Sequence, residues 1–176
     1  MIIALTGEKL AGKGTAAAYL HERYHAQLSR FSQPLSDMLV RLHQPNSRAN
    51  LVALGTSLRQ IFGDDILAQV LKQDVLAATA PVLVIDGMRY MAEYDILHTL
   101  PGFQLVYITA PVETRYARTQ DRTEKVDEAT MTLAEFQQHE HDVTEQGINE
   151  LAKLATHTIH NTGTLTELYQ QLDTLV

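Results

Sequence analysis

The chain has 176 residues, 45% hydrophobic and 20% charged, the size and mix of one domain around a single core. It has no cysteine, so disulfides, thiolate metal sites and thiol nucleophiles are excluded. Its formal net charge of −7 disfavours an extended nucleic-acid footprint, and no apolar run approaches the roughly 20 residues of a membrane span.

The first five apolar positions, Ile2-Ile3-Ala4-Leu5-Thr6, end at Gly7 and predict a buried parallel strand. From Lys13 to about Tyr24 the pattern turns helical through Ala16, Ala17, Ala18 and Leu20, and a weakly marked strand follows near 27–31. Residues 34–75 read as helices in pieces. Pro34 opens the first, with Leu35, Met38, Leu39 and Leu42 at helical spacing, and Pro45-Asn46-Ser47 breaks it. Leu51, Leu54, Leu58, Ile61 and Phe62 form a second stripe that Gly63 stops, and Asp64 or Asp65 caps a third helix through Val70. Val82–Ile85 and 103–109 are further strands, 155–160 a weaker one, and Thr164 to Leu175 a closing helix. Strands alternating with helices predict an α/β fold in three layers, a mostly parallel five-stranded sheet with helices on both faces and binding sites at the strands' carboxyl ends.

The strongest chemical signal is Gly7-Glu8-Lys9-Leu10-Ala11-Gly12-Lys13-Gly14-Thr15, with glycine, four residues and then Gly-Lys between a strand and a helix. Glycines let backbone N–H groups turn inward on an anion, the helix N-terminus adds its dipole, and the lysine supplies a point charge for phosphates. Gly7, Glu8, Ala11, Gly12, Lys13, Gly14 and Thr15 are therefore the candidate ATP-binding residues. Gly14 holds the place where a hydroxyl usually meets Mg²⁺ and Thr15 follows, so Thr15 and Asp86 are the candidate metal-side oxygens, with Mg²⁺ held through water. Asp86 ends a buried strand and precedes Gly87.

Gly12-Lys13-Gly14-Thr15 resembles the adenylate kinase form of this loop. Ile85-Asp86-Gly87-Met88-Arg89 resembles the strand-end Asp-Gly motif of nucleoside-monophosphate-kinase-like P-loop kinases. It is closest to dephospho-CoA-kinase-like and deoxynucleotide monophosphate kinase-like proteins. Leu54–Gly63 and His160-Asn161-Thr162-Gly163-Thr164-Leu165 are similar to segments of the same group. The resemblance implies a P-loop fold in one domain over 1–176, with a helical acceptor-binding insert at about 32–75 and a lid at about 115–135. It also implies that Arg59 meets an acceptor phosphate and that Asn161 and Gly163 border the adenine.

Arg89 stands just past the Asp-Gly turn, where a guanidinium fork can grip phosphate. Arg115, Arg118 and Arg122 are spaced three and four apart on one helix face, and their mutual repulsion calls for an anion. Lys13, Arg89, Arg118 and Arg122 are accordingly the candidate catalytic cations, and Arg59, Asp86 and Arg89 the candidate acceptor contacts. His139 and His141 diverge on a helix, and no His-Glu-x-x-His is present, so zinc is not expected.

The sequence thus predicts a cytoplasmic kinase, monomer or homodimer. It would use ATP and Mg²⁺ on a small phosphate-bearing acceptor such as a nucleoside monophosphate, with no nucleic-acid polymer or membrane as partner. Three alternatives stay open: transfer to a ribose hydroxyl with Asp86 as base, a nucleotide-dependent switch or ATPase with no acceptor, and a nucleotide-binding scaffold.

Overall fold

A computed structural model describes residues 1–120, 132–138 and 147–176, with the side chain of Gln120 left aside. The elements run β1 (Ile2–Thr6), α1 (Lys13–Tyr24), β2 (Gln27–Arg30), α2 (Gln33–Arg41), α3 (Arg48–Phe62), α4 (Ile66–Ala77), β3 (Leu83–Asp86), α5 (Met91–Leu97), β4 (Phe103–Thr109), α6 (Val112–Gln120), α7 (Leu133–Gln138), α8 (Ile148–Leu154), β5 (His157–His160) and α9 (Leu165–Asp173). The five strands form one sheet in the order β2-β3-β1-β4-β5, and every pairing is parallel.

Alternation along the central strands divides the interior in two. Ile2, Ala4, Leu83, Ile85 and Leu105 face one core, closed by residues of α2, α4, α5 and α8. Ile3, Leu5, Val84, Val106, Ile108 and Ile159 face the other, closed by α1 and α9. This is the period-two geometry of a strand buried on both faces, and it explains why β1 is buried at every residue.

Helix limits follow local chemistry. Ser47 caps α3 by accepting from Asn50 N, and Gly63 ends it at φ 104°. Thr164 and Glu167 close a reciprocal capping box at the start of α9. The third helix between β2 and β3, α4, runs to Ala77, seven residues past Val70, because Leu71 and Val75 continue its buried face. The weakly marked strand near 27–31 is real: β2 pairs with β3 at the sheet edge, and its half-exposed residues explain its faint apolar signal.

The chain leaves β1 through Gly7 at φ 140°, where an added β-carbon would overlap the carbonyl oxygen of Ile108 on β4. Both the conformation and the contact reject any larger residue. Gly7→Ala is therefore expected to lower the unfolding free energy by about 3 kcal/mol or more, read by urea titration followed by circular dichroism; an unchanged midpoint would contradict that placement.

Candidate functional site

The loops at the carboxyl ends of β1, β3 and β4 converge beside the point where the strand order reverses. Residues 7–12 form the loop from β1 into α1. Gly12 sits at φ 112° as the N-cap of α1, and Leu10 holds a left-handed conformation at φ 63°. Lys13 folds back over the loop, its Nζ donating to the carbonyls of Gly7 at 2.6 Å and Glu8 at 2.8 Å. A β-carbon at Gly14 would meet nothing within 4 Å, so open space lies over the first turn of α1, where Thr15 is exposed.

The outer side of the loop is held by donors from distant segments. Arg118 donates from Nη1 to Leu10 O at 2.9 Å and Ala11 O at 3.3 Å, and from Nη2 to Asn161 O at 2.9 Å. Asn161 donates from Nδ2 to Ala11 O at 2.8 Å. Arg115, only 5% exposed, donates to Ala110 O at 2.8 Å and Lys9 O at 3.4 Å. Partial burial, then the neighbouring charge of Arg115, lower the pKa of Arg118. Arg115, read with Arg118 and Arg122 as one face calling for an anion, thus turns to backbone carbonyls instead, and Arg118 bridges the loop after β1 to the segment after β5. Arg122, and with it His139 and His141, lie outside the described residues, as does most of the expected lid.

Glu8 turns its carboxylate to β4, where Oε1 accepts from the hydroxyl of Tyr107 and, at 3.4 Å, from that of Thr109. Burial, then this hydrogen bond, raise the pKa of Tyr107. Asn161 is buried against Ala11 and Gly12, whereas Gly163 lies farther out, packed on the Glu167 carboxylate in an open groove of about 560 Å³ between β5 and α9. A groove of about 400 Å³ flanks β2 and α4 at the opposite edge, and no phosphate-loop residue lines either one.

At the end of β3, Asp86 lies 3.5 Å from Arg30 Nε on the neighbouring β2. The turn that follows is tied to β1: Gly87 N and Met88 N both donate to Leu5 O at 3.1 Å, and Thr6 Oγ1 donates to Met88 O at 2.9 Å. The Asp-Gly turn is therefore fastened to the end of β1, from which the 7–12 loop departs. Glu93, 3% exposed, accepts from Arg89 N at 2.8 Å and Tyr90 N at 3.2 Å through Oε2, and its Oε1 is 3.9 Å from Arg59 Nη2. The sequence reading missed Arg30, Tyr107, Tyr90 and Glu93. Glu93 stands at the third helical position of α5, where a carboxylate signals a capping box, but Tyr90 replaces the usual Ser or Thr at the cap.

The donor sets suit the expected ligands. Glycine-permitted amides, an ammonium and a helix N-terminus fit a polyphosphate. The Thr15 hydroxyl and the Asp86 carboxylate are hard oxygens of the kind that hold Mg²⁺ with water completing the shell.

No family model matches the chain. It is 26% identical over 175 residues to a UPF0200 protein of Saccharolobus islandicus, covering 98% of this chain and 90% of the relative. A UPF0200 protein of Methanosarcina barkeri is 30% identical over 123 residues, covering 69% and 66% respectively. Among solved structures, the chain superposes on a shikimate kinase from Bacteroides thetaiotaomicron with a TM-score of 0.64 at 12% identity, over 99% of this chain and 96% of that one. A gluconokinase from Sinorhizobium meliloti 1021 gives 0.57 at 14% identity, over 98% and 89%. The fold is that of the small P-loop kinases, in line with the resemblance carried by the two glycine-bearing strand ends.

Burial raises the Glu93 pKa to about 7, against the opposing pull of the Arg89 and Tyr90 amides and the Arg59 and Arg89 charges. A carboxyl with a raised folded-state pKa stabilises the fold fully below its unfolded pKa and loses that contribution as pH rises through the folded one. Between about pH 4.5 and 7 the loss is on the order of 3 kcal/mol. Urea unfolding of wild type and Glu93→Gln at pH 5 and pH 8 should show this fall in wild type only; parallel slopes would contradict it.

Proposed function

We propose that the protein is an ATP-dependent phosphotransferase that moves the γ-phosphate of ATP onto a small molecule already bearing a phosphate, a ribo- or deoxynucleoside monophosphate in first place. The observation that carries this reading is the pairing of an anion-binding loop at the end of β1 with a separate arginine-bearing turn at the end of β3. The two are fastened together by Thr6, Gly87 and Met88. Two cationic sites fixed to one frame suit a reaction whose two partners both carry phosphate.

In this reading the amides of residues 8–15 and the N-terminus of α1 bind the β- and γ-phosphates. Lys13 leaves its own loop carbonyls for a phosphate oxygen. Mg²⁺, when bound near Thr15 and Asp86, neutralises charge on the phosphate tail. Arg89 grips the acceptor, and Arg118 keeps the loop in shape from the Asn161 side. Catalysis is then positioning and electrostatic stabilisation of the transferring group, with no covalent enzyme intermediate. The structural likeness to shikimate kinase and gluconokinase supports a small-molecule acceptor and keeps non-phosphorylated acids in the test.

The assay is ATP-dependent phosphorylation of AMP, CMP, GMP, UMP, their deoxy counterparts, dephospho-CoA, shikimate and gluconate. One monophosphate class should turn over, and Lys13→Ala should reduce its kcat/KM by about a hundredfold or more with the circular dichroism spectrum unchanged. Turnover of only a non-phosphorylated acid would reassign the acceptor. Full activity in Lys13→Ala would refute the site.

A further inference from the structure

Arg59 is held in an unusual way. Gly55, one turn earlier in α3, is buried, and a β-carbon there would stand 3.2 Å from Arg59 Nη1 and 3.2 Å from Leu35 Cδ1. A mid-helix glycine costs about 0.5–1 kcal/mol relative to alanine; here the missing side chain leaves the slot in which the guanidinium lies. The guanidinium carbon stands 5.0 Å from the ring centroid of Tyr90, and Nη2 is 3.9 Å from Glu93 Oε1. The Arg59 side chain is only 24% exposed, yet among the described residues it donates no hydrogen bond. A ring face and a carboxylate therefore aim a largely desolvated fork of five N–H donors whose hydrogen-bonding capacity is unspent. A phosphate or carboxylate meets that fork with matching geometry.

The same carboxylate reaches the acceptor turn. Glu93 Oε2 accepts from the amides of Arg89 and Tyr90 while Oε1 faces Arg59. The turn is held from two sides: Thr6 and Leu5 bond it from β1, and Gly147, at the start of α8, lies so close to the Arg89 carbonyl that a β-carbon would overlap it. Arg59 and Arg89 both lie within electrostatic reach of the Glu93 carboxylate.

We propose that Glu93 and Tyr90 are positioning residues that hold Arg59 of the helical insert and the 86–90 turn as one anion-binding unit for the acceptor. This rests on the phosphotransferase reading and names the part of the site that receives the acceptor's phosphate. Glu93 sets the distance between insert and turn, and Tyr90 supplies the face on which Arg59 lies; neither touches the acceptor.

A residue that acts through another loses its effect when that other is gone, whereas a merely structural residue does not. The test is calorimetric titration of the ADP-saturated protein with AMP, CMP, GMP and UMP, in wild type, Arg59→Ala, Glu93→Gln and the double variant. Glu93→Gln should weaken binding of the preferred monophosphate about tenfold in the wild-type background and less than about twofold in the Arg59→Ala background, with ADP affinity unchanged. Equal losses in both backgrounds, or tighter binding in Glu93→Gln, would overturn the proposal. Should Glu93→Gln fail to fold, Tyr90→Leu serves in the same cycle with the same expected non-additivity, and Tyr90→Phe should bind as wild type does. If wild type binds none of the four, nor any of their deoxy counterparts titrated in the same way, the acceptor reading itself fails, and the wild-type titration alone reveals it.

Discussion

A loop can point its amides inward at an anion only if its carbonyls find donors elsewhere, and the rest of this site follows from that constraint. Backbone groups removed from water must be paired, and residues 9–11 have neither helix nor strand to pair with. The protein supplies the donors from far along the chain: Arg115 for Lys9, Arg118 for Leu10 and Ala11, and Asn161 for Ala11. The left-handed turn at Leu10 would cost roughly 1–3 kcal/mol on its own, and it persists because a guanidinium holds the carbonyl that follows from it. The phosphate loop is therefore local in sequence but not in its cause.

The turn after β3 is built by the same logic with opposite polarity. There the amides of Arg89 and Tyr90 precede a helix start with no helical carbonyl to meet, and a buried carboxylate accepts from both. Burying that carboxylate is costly, and the nearby Arg59 offsets part of the cost. One residue thereby links the insert to the sheet. At the other strand end Arg118 of α6 likewise links the loop after β1 and the segment after β5. Both linkers are side chains of long reach that span elements distant in sequence.

That arrangement explains what could be read beforehand. The apolar runs of β1, β3 and β4, the glycine spacing at 7–14, the break at Pro45-Asn46-Ser47 and the stop at Gly63 are local patterns, and they placed the sheet, its flanking helices and the loop after β1. Arg59, Arg89, Arg118 and Asp86 were legible as charges beside such motifs. Their partners were not. Glu93 reads as an ordinary residue of an amphipathic helix until Arg59 is brought across from α3. Tyr107 reads as a strand aromatic until Glu8 turns back onto β4, and Arg30 becomes visible only when register sets it beside Asp86. Arg115 was read as one of three arginines sharing a face that calls for an anion, yet it is buried and donates to the carbonyls of Ala110 and Lys9. Such contacts are set by topology, and the 23145 order of strands exists only after the chain has folded.

The central claim is that the loop from β1 to α1 holds a polyphosphate with its amides and Lys13 while Arg118 and Asn161 hold its outer carbonyls. Its most direct test is a crystal structure of the protein grown with a non-hydrolysable ATP analogue and Mg²⁺. The account predicts the phosphates along residues 8–15, Lys13 Nζ moved from the Gly7 and Glu8 carbonyls onto a phosphate oxygen, and the Asn161 bond to Ala11 retained. Saturating nucleotide bound elsewhere, with Lys13 still on its own loop carbonyls, would contradict it.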